Sequence, residues 1–164
     1  MPLGSGELLA LTGMMGSGKS TVARHLGQLL GRRVVALDER IAARARKPIS
    51  AIFSEDGEPA FRALERAEVA ALRGPLVADL GGGAFCTPAN AEHLLRVGRV
   101  VFLDVSAAEA ARRIGEGAGR PLAASWEPLL ARRRPLYGRA WLRVEVDGLT
   151  AEAVASRILG LLQA

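Results

Sequence analysis

The stretch GMMGSGKST, from Gly13 to Thr21, constrains the fold more than any other part of the sequence. It matches the phosphate-loop pattern of a glycine, four residues, a second glycine, a lysine and a serine or threonine. The apolar run LLALTG that leads into it predicts a buried strand, and the amphipathic run KSTVARHLGQLLG that continues from it predicts a helix. Because a phosphate loop needs this context, a chance glycine-rich turn is a poor explanation.

Each part of the loop has a physical task in holding a phosphate group. Glycines allow consecutive backbone N–H groups to turn toward phosphate oxygens, and the N-terminus of the following helix favours their negative charge. Lys19 is predicted to reach the β- and γ-phosphates of ATP, and the Ser20 hydroxyl to bind Mg²⁺. The predicted nucleotide-binding residues of the loop are Gly13, Met14, Met15, Gly16, Ser17, Gly18, Lys19, Ser20 and Thr21.

Strand and helix patterns alternate along the rest of the chain. The predicted strands are Leu8–Gly13, Arg33–Asp38, 75–83 (which runs into a glycine turn), Arg99–Val105 and Leu142–Asp147. Helices are predicted over 19–31, 39–73 with an interruption near SEDGEP, 87–98, 106–115, 125–138 and 150–163. Strands that alternate with helices require a parallel sheet covered on both faces, so we predict one α/β domain over residues 1–164.

Composition limits the location and the partners. The single cysteine, Cys86, fits a reducing compartment, and neither an apolar stretch of membrane-spanning length nor a basic leader stands out, so we expect a cytoplasmic protein. The net charge of +5 fits a nucleic-acid surface, a compositional bias toward arginine, or arginines that converge on small anions. Aromatic residues make up only 4% and the arginines are scattered, so we expect no nucleic-acid binding. With no obvious apolar stripe, we expect a monomer.

Two features lie where the carboxyl ends of parallel strands should face a ligand. Asp38 is predicted to end the second strand, where it could accept a proton or a hydrogen bond from a substrate hydroxyl. Equally, it could cap the helix that follows. The third strand is followed by Gly81, Gly82 and Gly83. Three successive glycines cost chain entropy, so the run indicates that a ligand approaches the backbone closely.

Several arginines are candidates for contacts with anions. Arg62 and Glu65 lie one turn apart on a predicted helix, a spacing that is also common in solvated surface pairs. Arg120 lies in the stretch GEGAGRPLAA, which suits a lid that closes over a phosphoryl group. In the triplet Arg132–Arg134 only some members can face one site, because neighbours on a helix diverge by about 100°. The residues alone do not choose among them.

With the motifs GMMGSGKST, LDERI, IFSEDGEPAFRALE, GGG, GRPL and RRPLY in this order, the sequence resembles shikimate kinases over nearly its whole length. Phosphate loops are common, but the combination of IF…GE..FR..E, GGG and R-x-P-L-Y is far more specific. The resemblance implies a three-layer α/β/α P-loop kinase fold with a five-stranded parallel sheet in the order 2-3-1-4-5. It also implies a substrate-binding helical region at about 38–73 and a lid at about 115–125.

The activity implied by the resemblance is transfer of the γ-phosphoryl group of ATP, with Mg²⁺, to the 3-hydroxyl of shikimate, a step of aromatic amino-acid biosynthesis. Asp38 matches the aspartate that holds the shikimate hydroxyls, as hydrogen-bond acceptor or as base. Arg62 matches an arginine that clamps the shikimate carboxylate, and Glu65 the acid that orients it. Arg133 matches the second carboxylate arginine, which selects it from the triplet. A polyhydroxylated carboxylate needs a forked cation at one end and a hydroxyl acceptor at the other, in agreement with this assignment.

Further positions complete the implied sites. The backbone of Gly81–Gly83, and above all that of the middle glycine, matches the loop that meets shikimate. Phe53 and Phe61 match residues that line the shikimate pocket. On the nucleotide side, Arg113 matches the arginine near adenine, and Arg120 matches the lid arginine that reaches the phosphates.

The sequence departs from the family pattern at the second strand. The family's D-T-D is Ala36-Leu37-Asp38 here, so the first aspartate, which supports Mg²⁺ in the family, is missing. Asp79, near the end of the third strand, could approach the metal's water shell from the neighbouring strand, and we hypothesise that it takes over this role. Elsewhere, Ala42 stands in place of a glutamate and Arg46 in place of a glycine.

Two other functions fit parts of the sequence. A related kinase with another acceptor, such as a gluconate kinase, would need the phosphate loop but not the paired carboxylate arginines and the glycine run. A degenerate kinase that binds a nucleotide or a small acid without turnover would fit the missing aspartate and a segment from Arg120 to Arg133 that is several residues shorter than is typical of the family. The retained Lys19, Ser20, Asp38 and Arg120 favour an active enzyme.

Overall fold

The computed structural model describes residues 2–118 and 125–164. Within these residues the centre is a parallel sheet with the strands β1 Leu8–Thr12, β2 Arg33–Ala36, β3 Leu76–Asp79, β4 Gly98–Asp104 and β5 Leu142–Glu145. The strands lie in the order β2-β3-β1-β4-β5, which confirms the predicted topology. All residues of β1 are buried, because a strand in the middle of a parallel sheet is covered on both faces.

Helices connect the strands and cover the sheet. They are α1 Lys19–Leu30, α2 Leu37–Ala45, α3 Ile49–Ala51, α4 Glu58–Ala71, α5 Pro88–Val97, α6 Ala107–Ala118, α7 Trp126–Tyr137 and α8 Ala151–Gln163. A π-helical turn at Ile52–Asp56 joins α3 to α4, and a 3₁₀ turn at Ala84–Cys86 precedes α5. Helices α1 and α8 pack together, and α5 packs on β1 and β4. In the described ranges no helix is long and apolar enough to cross a membrane.

The sheet register brings three predicted site segments to one edge. Asp79 of β3 is paired with Leu11 of β1 on one side and with Ala36 of β2 on the other. The phosphate loop, the start of α2 and the glycine run therefore leave the sheet at the same level, from neighbouring strands. In a parallel sheet this carboxyl edge is where ligands bind.

The predicted end of the second strand is wrong, and it concerns a candidate site residue. We expected the strand to continue to Asp38, but β2 ends at Ala36 and α2 begins at Leu37. Asp38 and Glu39 lie in the first turn of α2, where the partial positive charge of the helix N-terminus stabilises carboxylates. The N-cap position is Ala36, so the capping role considered for Asp38 is wrong as well.

Arg46 occupies a position at which shikimate kinases, which the sequence resembles, usually have glycine. It ends α2 in the left-handed conformation, with φ 58° and ψ 33°, and the last carbonyl groups of the helix accept from the N–H groups that follow. Glycine adopts this conformation freely, whereas a residue with a Cβ atom loses about 1–2 kcal/mol. Arg46 thus ends α2 in a turn that glycine would adopt without this cost.

Helix α6 extends further than predicted. We expected it to end near Gly115, but it continues to Ala118, so neither Gly115 nor Gly117 ends it, although glycine is a poor helix former. The predicted lid at about 115–125 therefore begins within a helix. Arg120 lies outside the described residues. The division of residues 1–164 into one domain with a substrate-binding region and a lid stays a prediction.

Candidate active site

The phosphate loop wraps around the start of α1. Gly16 and Gly18 have positive φ angles of 91° and 85°, which are strained for any residue with a Cβ atom. The Lys19 ammonium group donates to the carbonyl oxygen of Gly13 at 2.6 Å and lies 3.4 Å from that of Met14. The lysine is thus held over the loop by neutral carbonyl acceptors, which negatively charged phosphate oxygens could replace.

A cavity of about 360 Å³ adjoins the loop, between α1, α6 and the start of α8. Ser17, Arg113 and Thr150 are among the residues that line it. The guanidinium group of Arg113 donates to the carbonyl oxygens of Gly16 and Val146 at 3.2 and 3.1 Å, which fixes it beside the loop. Among the described residues, the buried hydroxyl of Ser17 has no hydrogen-bond partner. A buried hydroxyl of this kind needs an acceptor, and a phosphate oxygen would supply one.

Ser20 and Asp79 connect the phosphate loop to β3. The Ser20 hydroxyl donates to Oδ2 of Asp79 at 2.7 Å. Because Ala36 is paired with Asp79, this carboxylate stands one strand away from the position at which D-T-D has its first aspartate. In the described part of the chain, no group of three or more His, Cys, Asp or Glu side chains could hold a metal ion by itself. Mg²⁺ usually binds through one or two protein oxygens and substrate phosphates, and the Ser20–Asp79 pair fits that role.

Each glycine of the acceptor loop, Gly81–Gly83, faces a predicted site side chain. A Cβ atom would lie 2.8 Å from Oδ1 of Asp38 if built on Gly81, 2.8 Å from Nη1 of Arg133 on Gly82, and 2.9 Å from Nη1 of Arg62 on Gly83. Contacts below 3.0 Å essentially never occur, so a side chain at any of these positions would displace the polar group opposite. The polar ends of the aspartate and of both arginines thus converge on the glycine run and occupy the space beside it.

Arg62 is held by acidic residues of its own helix. Its Nη1 donates to the two carboxylate oxygens of Glu65 at 2.9 and 3.1 Å, and its Nε lies 3.4 Å from Oε1 of Glu58. Glu65 is only 1% exposed. Burial raises the pKa of Glu65, and the charge of Arg62 opposes this shift. A solvated surface pair is therefore the wrong description, since a buried acid orients the arginine toward Gly83.

Arg133 is the member of the arginine triplet that faces this site. Its Nη2 would lie 3.1 Å from a Cβ atom on Gly83, beside Arg62. Arg132 and Arg134 are exposed, and Nη1 of Arg134 lies 3.6 Å from Asp104 instead. The selection that rested on the resemblance thus agrees with the geometry.

Asp38 lies among the charges of the site. Although Asp38 keeps an exposed surface, partial desolvation of its carboxyl group raises its pKa and the negative charge of Asp79 raises it further, whereas Lys19 and Arg62 lower it. A carboxylate with a raised pKa is suited to accept a proton from a hydroxyl group in its vicinity.

The sequence matches a known family. The family model described as Shikimate kinase matches residues 15–163. The chain belongs to the shikimate kinase family. A shikimate kinase of Synechococcus sp. strain RCC307 is 44% identical, in an alignment that covers 99% of this chain and 91% of the relative. A shikimate kinase of Limosilactobacillus fermentum is 42% identical and covers 94% of this chain and 95% of its own length.

The fold agrees with a solved structure of the shikimate kinase family. The shikimate kinase from Acinetobacter baumannii in complex with shikimate has a TM-score of 0.86 and is 33% identical, over 95% of this chain and 92% of its own. The predicted three-layer P-loop kinase fold is thereby confirmed. The roles that the shikimate kinase family implies for individual residues stay predictions.

The two phenylalanines implied by the shikimate kinase family lie together. The ring centroids of Phe53 and Phe61 are 4.6 Å apart. Phe61 is buried, and its ring centroid lies 5.2 Å from Cζ of Arg62, whereas Phe53 is 39% exposed. The two phenylalanines thus form an apolar surface next to Arg62.

Sequence reasoning missed several contacts of the site. The indole N–H of Trp126 donates to the carbonyl oxygen of Met15 at 3.1 Å, and the hydroxyl of Tyr137 donates to that of Gly82 at 2.6 Å. Tyr137 belongs to the motif RRPLY, which was the available signal. Leu149 and Thr150 line the cavity beside Arg113, as their position after the last strand could have indicated.

Lys19 provides a prediction about proton uptake. Burial lowers the pKa of Lys19 to about 8, against the opposing charges of Asp79 and Asp38. Because phosphate groups favour the charged amine, ADP binding should raise this pKa and take up most of one proton at about pH 8.5, but little at pH 7. Calorimetry in two buffers of different ionisation enthalpy measures the uptake. Equal uptake by a Lys19→Met variant would contradict this explanation.

Proposed function

We propose that the chain phosphorylates shikimate: it transfers the γ-phosphoryl group of ATP to the 3-hydroxyl and releases ADP and shikimate 3-phosphate. The observation that carries this proposal is the convergence of Asp38, Arg62 and Arg133 on the acceptor loop, opposite the phosphate loop. Two forked cations beside one carboxylate match an acceptor with a carboxylate at one end and hydroxyl groups at the other. Membership of the shikimate kinase family supports the same acceptor.

The chemistry divides among the chain's own residues. Arg62 and Arg133 bind the acceptor carboxylate, and Glu65 keeps Arg62 in place. Asp38 accepts the proton of the 3-hydroxyl group. At the same time the oxygen of this hydroxyl group forms a bond to the γ-phosphorus, and the bond between that phosphorus and the β–γ bridging oxygen breaks. Lys19 stabilises the charge that develops on the phosphoryl oxygens. Arg120 is assigned to the same task from the sequence alone.

Ser20 and Asp79 would hold Mg²⁺. Their hydrogen bond places two oxygen atoms at the end of the phosphate loop, where Ser20 would bind Mg²⁺ directly and Asp79 through the water shell of the ion. A bound Mg²⁺ would neutralise charge on the β- and γ-phosphates. The pairing of β3 with β1 keeps Asp79 close to the phosphate loop.

A coupled assay of ADP release tests the proposed function. With shikimate and MgATP, we expect turnover that depends on both substrates, and phosphate on the 3-oxygen of the product. Gluconate in place of shikimate tests the related-kinase alternative, because it has a carboxylate and hydroxyl groups but not the shikimate ring. A degenerate binding module would bind both ligands in calorimetry and release no ADP above background.

Replacing Arg62 by alanine should weaken shikimate binding specifically. We expect the KM for shikimate to rise about thirtyfold to a hundredfold, because the loss removes a charge-assisted contact and leaves the buried Glu65 without its cation. The KM for ATP should be nearly unchanged. The matched control is Arg66→Ala, at an exposed arginine of the same helix. Equal increases of both KM values in the Arg62 variant would count against the assignment.

Several broader expectations are part of this proposal. The enzyme would use ATP and Mg²⁺, bind no nucleic acid, act as a monomer and reside in the cytoplasm. Size-exclusion chromatography with light scattering would test the oligomeric state.

A further inference from the structure

The tyrosine at the end of α7 is fixed by the core of the sheet. Tyr137 is fully buried, and its ring stacks on that of Phe102 with centroids 4.6 Å apart and planes 21° apart. Phe102 is itself buried in β4 and is paired with Thr12, the last residue of β1 before the phosphate loop. The position of the tyrosine ring is therefore set by the scaffold that also carries the phosphate loop.

The hydroxyl of Tyr137 is used by the acceptor loop. It donates to the carbonyl oxygen of Gly82 at 2.6 Å, and the thioether sulfur of Met14 lies 3.7 Å away on the phosphate loop. A phenol has one proton, and a carbonyl oxygen is a far better acceptor than a thioether. Burial raises the pKa of Tyr137 to about 12, so the group remains a donor over the working range of pH.

Gly82 lies where three parts of the site meet. A Cβ atom on this residue would be 2.8 Å from Nη1 of Arg133, 3.4 Å from the carbonyl oxygen of Gly13 and 3.8 Å from the hydroxyl of Tyr137. The same Nη1 of Arg133 lies 3.8 Å from the sulfur of Met14. Arg133 and Tyr137 are four residues apart on α7 and thus share one face of the helix.

We propose that Tyr137 is a positioning residue for the acceptor. Its hydroxyl binds the Gly82 carbonyl and thereby fixes the position of the acceptor loop relative to Arg133 and the phosphate loop. The inference rests on the proposed function. A run of three glycines has little conformational preference of its own, so its geometry must be fixed from outside. The Tyr137 bond does this at the middle glycine, whose neighbours Gly81 and Gly83 lie beside Asp38 and Arg62.

The test is the variant Tyr137→Phe, which removes one oxygen and keeps the stacked ring. We expect the KM for shikimate to rise about fivefold to tenfold, since a buried carbonyl group loses its donor and the loop relaxes. The kcat and the KM for ATP should be nearly unchanged. Calorimetric titration of shikimate in the presence of ADP should show the same loss of affinity, and this measurement does not depend on turnover.

A matched control separates positioning from stability. His93 makes a side-chain contact of 2.9 Å to the carbonyl oxygen of Leu72, at the end of α4 and outside the site. His93→Phe should lower the melting temperature without changing either KM. If Tyr137→Phe raised both KM values by the same factor, or left the shikimate KM and affinity unchanged, the inference would be wrong. A wild-type enzyme without shikimate-dependent ADP release would overturn the proposed function and, with it, this inference.

Discussion

Replacing Asp38 by asparagine is expected to lower kcat about a thousandfold, because the variant loses the group that accepts the hydroxyl proton. Asparagine has nearly the same size, so the side chain should keep its place beside Gly81 at the start of α2, and the KM for ATP should change little. The measurement is the steady-state rate at saturating shikimate and MgATP. The control is Glu39→Gln, which removes an exposed carboxylate from the next position of α2.

The pH profile distinguishes a base from a hydrogen-bond acceptor at Asp38. An ordinary aspartate has a pKa of about 3.9. Desolvation and the charge of Asp79 raise the pKa of Asp38 above this value, so its active carboxylate form appears only at higher pH. If Asp38 is the base, kcat/KM for shikimate should rise with pH through this raised pKa and then level off. The rise should be absent from the residual activity of Asp38→Asn. A profile with the same acid limb in both enzymes would show that another group titrates.

Much of the site was predictable because its residues stand next to features with strict geometry. The phosphate loop fixes Lys19 and Ser20 relative to α1, and the order of the sheet follows from the alternation of strands and helices. The cost of three glycines indicated close approach of a ligand to Gly81–Gly83, and this stays a prediction; the side chains that converge on the run were not part of it.

Other features depended on tertiary contacts that no local pattern encodes. The end of β2 was misplaced because Leu37 is apolar, like Val34, Val35 and Ala36 before it, so the change to a helix leaves no mark in hydropathy. The contacts of Tyr137 and Trp126 join residues 55 and 111 positions apart, and only the packed fold shows them. The choice of Arg133 needed the resemblance, because helical periodicity alone does not give the orientation of α7.

The replacement Asp79→Asn should lower kcat about a hundredfold to a thousandfold and raise the Mg²⁺ concentration needed for half-maximal activity. Asparagine can still accept the hydrogen bond from Ser20, so the phosphate loop should keep its contact with β3, and only the charge is lost. Calorimetry provides a second readout, since Mg²⁺ should strengthen ADP binding to the wild type more than to the variant. An unchanged Mg²⁺ dependence of the rate would refute the role assigned to Asp79.

An aspartate at position 36 in place of the one at position 79 tests whether Asp79 compensates for Ala36. Ala36 and Asp79 are paired in register on neighbouring parallel strands, which are about 4.8 Å apart, so a carboxylate on either strand can serve the same metal through its water shell. In the Asp79→Asn background, Ala36→Asp should recover at least about tenfold in kcat and lower the Mg²⁺ requirement. Ala36→Asn in the same background is the matched control, because it has the same shape without the charge. If both double variants behaved alike, the missing aspartate of D-T-D would not be compensated by Asp79, and the metal would depend on Ser20 and the phosphates alone.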